Sequence, residues 1–349
     1  NRSPLLGLVP GERAFVASPN KALIQVFLWG KESPDQRIPV PEPLTCLALL
    51  NHPQMRSVRP PVFRVPWLLA GGSKSGKLYV WEVASGNLLC VKDAHYQEIT
   101  VVRFSECGTY IATGSVDARA AVWSTQELIS LYDHEEQIQT IKPYYSVTNH
   151  SLPVTDVVIS PSGIHSDLKL YTALRDSTCT VHNISTKTLL TTFVLPTPIT
   201  SIARDPADRN IYVGLANGRI RIIPLYQISS NLVLESVGGC ERIITLDPND
   251  PELKHTICSH KQPETDSETN EITSLAVSFD GTVLVLGDSK GFVYASDIVT
   301  RQVVQSFKEC SGAVLQVQIN VCPQETLEVS LVVDKTHRLI PNLKRVLAD

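Results

Sequence analysis

The sequence predicts an all-β fold, a β-propeller of seven four-stranded blades with inserted loops. The first observation is that short apolar runs alternate with small or polar residues, as in strands that bury one face. The second is that turn-forming residues separate these runs at short intervals. Both features are clearest in residues 68–82 and 110–123, which form two consecutive units of the same kind.

The spacing of these two units identifies the type of repeat. Trp81 and Trp123 occupy corresponding positions and lie 42 residues apart. A period of about 40–45 residues with four strands per unit is typical of the WD40 repeat. The connection between the units carries Ala94 and His95 where such repeats usually have Gly-His. The sequence therefore predicts a WD40 propeller.

Four polar or aromatic residues are expected to form one hydrogen-bonded set in the second unit: His95, Thr113, Asp117 and Trp123. In this repeat the turn aspartate binds the imidazole, the imidazole meets the threonine hydroxyl, and the hydroxyl meets the indole N–H. Such a chain satisfies buried polar groups and fixes one blade. The same residue types would also suit a catalytic Thr-His-Asp triad. The repeat spacing favours the structural interpretation.

The other blades follow in order along the chain. His182 and Ile223 take the tryptophan position in the fourth and fifth blades, so the period persists although the signature is lost. Closed propellers usually build the last blade from both chain ends, so the completeness of the seventh blade stays open. We expect one propeller domain at 1–339 and the start of a C-terminal tail at 340–349. The blades are predicted to open with strands at 13–18, 44–50, 100–104, 152–160, 199–204, 272–278 and 313–321.

Three segments interrupt the repeat and are expected to be peripheral partner-binding insertions: 52–66, 124–150 and 226–270. The first is too rich in proline for a strand. Its arginines, Arg56, Arg59 and Arg64, are candidates to contact phosphate or an acidic partner, and the alternative is a solvated loop.

Composition narrows the functional classes. The net charge of −4 argues against nucleic-acid binding by bulk electrostatics, although it leaves room for a local basic patch. The 8 cysteines are scattered and form no Cys-x-x-Cys pair, so we expect buried thiols in a reducing compartment and no zinc site. No apolar run is long enough to span a bilayer.

No motif predicts an active site, a cofactor or a metal. Residues 71–77 match G-x-x-x-x-G-K, but Leu78 replaces the Mg²⁺-binding Ser or Thr and a strand pattern follows, so a hairpin turn is the better interpretation. Blade-top residues are better candidates, for docking partners: Tyr96, Glu98, Arg119 and Arg175.

Five short segments, in this order, resemble one family over nearly the whole chain. They are residues 75–82, 94–97, 152–156, 205–209 and 340–343. Together they are similar to the fungal Ipi-three pre-rRNA-processing family, whose animal relative is WD-repeat protein eighteen.

The resemblance implies a non-enzymatic scaffold of the nucleus, in nucleolus and nucleoplasm, that supports 60S subunit maturation. It implies a Rix-type complex with a helical-repeat scaffold subunit and a third subunit. This complex binds the pre-60S particle, supports removal of internal transcribed spacer 2, and helps to recruit the AAA+ ATPase midasin. Contact with pre-rRNA is expected to be indirect, and no membrane or cofactor is implied. The family is also linked to DNA replication licensing.

Family members also carry a C-terminal coiled coil that pairs two copies per complex. This sequence ends at Asp349, so the coiled coil lies outside it.

Two rival functions stay open. The chain could be a WD40 receptor that captures a peptide on its top face, in a ubiquitin-ligase or chromatin complex. A propeller hydrolase is the third hypothesis, but it would need a convergent polar cluster at the channel mouth, and the sequence offers none.

Overall fold

Short strands joined by tight turns make up most of the regular structure, as the alternating sequence predicts. A short helix, α1 (Thr125–Ser130), is also present. Among the described residues, no helix has the length and apolar character to cross a membrane. The computed structural model describes residues 13–18, 21–28, 36–51, 66–83, 85–130, 139–160, 168–228, 234–237, 241–246, 254–255, 271–278, 280–306, 313–314 and 316–317.

The strands are numbered along the chain. The first eleven are β1 (Arg13–Ser18), β2 (Lys21–Leu28), β3 (Gln36–Pro39), β4 (Leu44–Asn51), β5 (Pro66–Ser73), β6 (Lys77–Glu82), β7 (Leu88–Asp93), β8 (Ile99–Phe104), β9 (Tyr110–Ser115), β10 (Ala120–Ser124) and β11 (Tyr145–Val147). The next eleven are β12 (Val154–Ile159), β13 (Lys169–Leu174), β14 (Thr178–Asn183), β15 (Thr188–Val194), β16 (Ile199–Arg204), β17 (Asn210–Leu215), β18 (Ile220–Pro224), β19 (Tyr226–Ile228), β20 (Leu234–Ser236), β21 (Arg242–Thr245) and β22 (Lys254–His255). The last four are β23 (Ile272–Val277), β24 (Val283–Asp288), β25 (Val293–Asp297) and β26 (Val303–Ser306).

These strands form six sheets, which we call sheets one to six, and a separate hairpin of β19 and β20. Sheet one contains β1–β3, sheet two β4–β7, sheet three β8–β11 and sheet six β23–β26. Sheet four contains β12–β15 with β21 added, and sheet five contains β16–β18 with β22. Sequential antiparallel strands are the construction of a propeller blade, so the predicted all-β propeller is confirmed.

The predicted count of seven blades is not confirmed. Within the residues that the structure describes, five sheets have four or more strands and sheet one has three. Most of the segment predicted as blade seven, including 327–333, lies outside the described residues.

The core lies between neighbouring sheets. One apolar cluster joins sheets one and two around Ile24, Leu44 and Trp81, and the next joins sheets two and three around Leu68 and Trp123. Further clusters join three with four, four with five, and five with six. Sheets two to five therefore each bury both faces against their neighbours, which explains the largely buried second strands of sheets three, four and five.

The register confirms the predicted equivalence of the third strands. Trp123 pairs with Ile111 of the preceding strand, His182 with Leu170, and Ile223 with Ile211. His182 and Ile223 therefore lie at the tryptophan position, as the spacing predicts.

Two of the expected insertions supply short outer strands to the sheets. Segment 124–150 supplies α1 and then β11, the outer strand of sheet three. Segment 226–270 supplies β21, which pairs in parallel with β15, and β22, which pairs with β18. These strands are short and carry little apolar alternation, so pairing with a preformed sheet defines them instead. Segment 52–65 lies outside the described residues.

Four of the inner strands carry, at their second position, a threonine that hydrogen-bonds to the next inner segment of the chain. Thr100 donates to the carbonyl of Val154 at 2.7 Å, and Thr273 donates to the carbonyl of Val314. Val314 therefore occupies the place of Val154, the first residue of an inner strand. The same bond joins Thr45 to Ile99 and Thr200 to Ile272.

A second link joins the side chain of the third residue of one inner strand to the backbone N–H of the fourth residue of the next inner strand. The hydroxyl of Ser274 accepts from the N–H of Val317 at 2.7 Å, and Oε1 of Gln316 accepts from the N–H of Leu47 at 3.4 Å. Residues 314–317 therefore touch the inner strands of both sheet six and sheet two. The same link joins Asp156 to Ile202 at 3.0 Å.

Candidate functional site

One end of the blades presents the turns between second and third strands and the connections into the next inner strands. We call this end the top face, and it comprises residues 40–43, 74–77, 93–98, 116–119, 148–153, 175–178, 195–198, 216–219, 271 and 289–292. Tight turns fix these residues to buried strands, so the rigid blades determine where their side chains are presented.

The four residues of the predicted blade set are hydrogen-bonded in the expected order. Nδ1 of His95 lies 3.1 Å from Oδ2 of Asp117, and its Nε2 lies 2.8 Å from Oγ1 of Thr113. Nε1 of Trp123 donates to the same Oγ1 at 3.1 Å. Burial raises the pKa of Asp117, but the hydrogen bond and charge of His95 outweigh it and lower that pKa overall.

This geometry does not suit a nucleophile. Thr113 is fully buried, and its hydroxyl is occupied by the imidazole and the indole. A triad hydroxyl must reach a substrate carbonyl. The set instead joins the second strand, the third strand and the preceding connection of sheet three.

Sheet four contains a related chain that the sequence did not predict. Nε2 of His150 lies 3.3 Å from the hydroxyl of Thr172, which also contacts that of Thr180. Thr180 lies 3.0 Å from Nε2 of His182, and the Tyr145 hydroxyl lies 2.9 Å from Nδ1 of the same ring. Burial lowers the pKa of both imidazoles to about 4. The available signal was that His95 and His150 each precede an inner strand by four residues.

Asp156, which follows His150 closely in sequence, lies on β12, the inner strand of sheet four. Its carboxylate accepts from the N–H of Val157 at 2.9 Å and lies 3.5 Å from Arg103. Burial raises the pKa of Asp156, and Arg103 opposes that shift. Among the described residues, no three His, Cys, Asp or Glu side chains are grouped to hold a metal ion.

The glycine-rich motif forms the hairpin between β5 and β6, without a following helix. Gly76 has a φ of +85°, and an added Cβ would lie 2.2 Å from the carbonyl oxygen of His95. The glycine is therefore needed for the turn and for its close approach to the next connection.

Three of the predicted docking residues lie together on the top face of sheet three. Tyr96 is 83% exposed, and the guanidinium carbon of Arg119 lies 5.2 Å from its ring centroid. Both backbone N–H groups bind Asp117, at 3.2 and 3.0 Å. Glu98 is half-buried, and its carbonyl accepts from the N–H of Val116.

Arg175 is exposed on the corresponding turn of sheet four. Two aliphatic side chains that the sequence did not single out share the surface, Val116 and Leu152, which are 36% and 43% exposed. Arg56, Arg59 and Arg64 lie outside the described residues. The top face of sheets three and four therefore offers an aromatic ring, two guanidinium groups and some apolar area, a composition typical of interfaces.

Comparison with known proteins adds the family. A model described as WD domain, G-beta repeat, matches residues 86–124, which hold the His95 set. Pre-rRNA-processing protein IPI3 of Scheffersomyces stipitis is 51% identical over 99% of this chain and 73% of its own length. The proteins of the same name from Candida albicans and Meyerozyma guilliermondii are 50% and 45% identical, over 100% and 98% of this chain and 72% and 74% of theirs. Because this identity extends over nearly the whole chain and most of each relative, the chain belongs to the family of pre-rRNA-processing protein IPI3.

Proposed function

We propose that this chain is a non-enzymatic scaffold in pre-rRNA processing and acts in the nucleus. The observation that carries the proposal is the 51% identity with a pre-rRNA-processing protein over 99% of the chain. The buried Thr113 hydroxyl, already occupied by two partners, agrees with a structural use of the triad-like residues.

The finer proposal follows the resemblance found in the sequence. The chain would act in a Rix-type complex with a helical-repeat subunit and a third subunit, on the pre-60S particle. There it would support removal of internal transcribed spacer 2 and recruitment of midasin, and a C-terminal coiled coil would pair two copies. A role in DNA replication licensing is a separate proposal from the same resemblance. Rigid blades support this mechanism, because a fixed framework can hold several partners at once.

The test is to purify the endogenous full-length protein at gentle salt and identify what accompanies it. We expect large-subunit ribosomal proteins and precursor RNA that contains internal transcribed spacer 2. We also expect that precursor to accumulate when the protein is depleted. Recovery of ubiquitin-ligase or chromatin factors without precursor RNA would contradict the proposal.

That contrary outcome would support the second candidate, a peptide receptor. The observation that favours it is the exposed Tyr96 ring beneath the Arg119 guanidinium, a pair suited to anchor a peptide side chain. An isolated peptide that binds wild type but not the Tyr96→Ala variant would favour it further.

We also propose that the scaffold closes as a ring of six inner strands, rather than the seven predicted from the sequence. The links between inner strands lead from sheet six to residues 314–317 and then to Leu47 of sheet two. Strand β1 contacts β4 as β5 contacts β8, which places sheet one beside sheet two. Residues 314–317 would thus be the inner strand of sheet one.

A photo-cross-linking amino acid at position 316 tests this count. Cross-links to peptides of residues 44–51 are expected for a ring of six. Cross-links to another inner strand in place of 44–51 would contradict it.

A further inference from the structure

The turns of the top face place one exposed cation on each of five successive sheets. Each lies between the second and third strands of its sheet, although the positions within the turns differ. Each of these sheets therefore presents a positive charge on the same face, while the whole chain has a net charge of −4. The five cations are Lys74, Arg119, Arg175, Arg219 and Lys290.

The acidic side chains of these turns point into the backbone. Asp117 accepts from the N–H of Arg119 at 3.0 Å, and Asp176 accepts from the N–H of Thr178 at 2.9 Å. Asn217 replaces the aspartate in sheet five and accepts from Arg219 at 3.1 Å. Such Asx turns use the carboxylate to hold the loop and leave the neighbouring cation outside.

The remaining acids of the top face are mostly covered. Glu42 accepts from the Tyr79 hydroxyl at 2.6 Å and from Ser75 at 2.9 Å. Glu98 and Glu271 are half-buried. Among the charged residues of the described top face, five cations are exposed and one acid, Asp93, is exposed. No salt bridge within the described chain joins Lys74, Arg119, Arg175 or Arg219 to a carboxylate.

An exposed aromatic ring lies within this row of cations. Tyr96 is 83% exposed and lies against Arg119, so one face of the pair can receive a planar group. Positive groups that follow a backbone, together with aromatic side chains for unstacked bases, are how proteins bind single-stranded nucleic acid.

We propose that the top face binds single-stranded RNA, with the five cations on phosphates along one strand and a base stacked on Tyr96 and Arg119. The inference rests on the proposed function, because pre-rRNA processing makes RNA the first candidate among polyanions. The presence of one cation on each of five successive sheets also favours a ligand with repeated charge. An acidic protein segment would be expected to need a deeper apolar anchor than the partly exposed Val116 and Leu152.

Binding is measured with the full-length protein and a short fluorescein-labelled oligouridine, by fluorescence anisotropy at several KCl concentrations. Five phosphate contacts predict a slope of log affinity against log salt of about −3.5, at about 0.7 per contact for single strands. The double variant Arg175→Glu with Arg219→Glu should lower the affinity by at least about tenfold and reduce the slope by about 1.4.

The matched control is Lys187→Glu with Arg301→Glu. Both residues are exposed on turns at the opposite end of the blades, and the pair changes the net charge by the same amount. We expect this control to bind close to wild type. If both double variants weaken oligouridine binding equally, the proposal is overturned, because net charge alone would then explain the attraction.

The stacking contact has its own variants. Tyr96→Ala should weaken binding by about tenfold without changing the salt slope, whereas Tyr96→Phe should bind as wild type. Loss of binding in Tyr96→Phe, or none in Tyr96→Ala, would overturn the stacking part.

Three further outcomes separate the RNA contact from an acidic protein partner and from the proposed function. If polyglutamate of equal charge displaces the oligouridine at equal or lower concentration, RNA is overturned in favour of an acidic protein partner. If no oligouridine binds while the protein still co-purifies with large-subunit precursors, the RNA contact is overturned and the proposed function stands. Binding of oligouridine without such co-purification would support the RNA contact and count against the proposed function.

Discussion

At the scale of single residues, the Thr113 hydroxyl is the centre of the sheet-three set. It accepts from the indole of Trp123 at 3.1 Å and meets the imidazole of His95 at 2.8 Å, without exposure to water. Thr113→Val keeps the shape but leaves two buried polar groups without this partner. We expect the free energy of unfolding to fall by about 1–3 kcal/mol, measured by urea denaturation.

Thr186→Val is the control for that substitution. Its hydroxyl contacts only Thr188, on an exposed turn of sheet four. We expect a change within about 0.5 kcal/mol. Equal effects of the two substitutions would mean that the buried set does not stabilise the blade.

The two buried histidines of sheet four should make stability depend on pH. Burial lowers the pKa of His150 and His182 to about 4, below the ordinary value of 6.5. The unfolded chain therefore binds protons more readily, and stability is lost as the pH falls from 6.5 towards 4. By about pH 5.5, each imidazole should lower the free energy of unfolding by about 1 kcal/mol relative to neutral pH.

The His150→Gln variant tests this expectation in thermal unfolding between neutral pH and about pH 5. We expect a smaller fall of the unfolding midpoint than in wild type, since one titrating group is removed. Tyr145→Phe keeps both imidazoles and should keep the wild-type pH dependence, even if it lowers the midpoint throughout. An unchanged fall in His150→Gln would show that other groups cause the acid sensitivity.

The two polar sets differ in how far the sequence could predict them. His95, Thr113, Asp117 and Trp123 follow the repeat spacing, so their proximity could be expected from one chain. The sheet-four set has a histidine at the tryptophan position and takes Tyr145 from β11, a strand without apolar alternation. Side chains that depend on such a strand become neighbours only through tertiary pairing.

At the scale of elements, the same limit applies to the outer strands. The inner strands are buried on both faces and have apolar patterns that fix their positions in the sequence. The outer strands β11 and β22 have three and two residues and come from segments that resemble insertions. Their pairing partners are already formed sheets, so their own sequence contains little of the information that places them.

Strand β21 offers a test of whether the third insertion stabilises the propeller. Ile244 packs against the core between sheets four and five, whereas its neighbour Ile243 is 70% exposed. Successive strand residues point to opposite faces. We expect Ile244→Lys to lower the free energy of unfolding by about 1.5–3 kcal/mol, and Ile243→Lys to change it by less than about 0.5 kcal/mol.

Both variants are compared by denaturant unfolding under identical conditions. Equal, small effects would return segment 226–270 to the peripheral role expected from the sequence. A large effect of Ile244→Lys alone would establish that the insertion is part of the folded core.

At the scale of the whole molecule, the number of blades depends on contacts between the two ends of the chain, which the order of strands along the sequence does not contain. The sequence pattern predicts a separate blade at each chain end, one at residues 13–27 and one at 313–321. Their contacts with β4 place both ends beside sheet two. Sequence order alone cannot distinguish two incomplete blades from one blade built by both ends, because the distinction lies in contacts between residues far apart in the chain.

The bond between Gln316 and Leu47 connects residues 269 positions apart, so it should stabilise the ends of the chain rather than one blade. We expect Gln316→Leu to lower the free energy of unfolding by about 1 kcal/mol and to speed amide hydrogen exchange across β1–β4. Thr100→Val removes the 2.7 Å hydrogen bond between the inner strands of sheets three and four, in the middle of the chain, and should lower the free energy of unfolding by a similar amount. We expect this variant to speed exchange in sheets three and four, because the lost bond joins those two sheets and does not involve the chain ends. If both variants speed exchange in the same strands, the contact between the chain ends does not differ from the other contacts between sheets. If only Gln316→Leu speeds exchange in β1–β4, the chain ends close the ring.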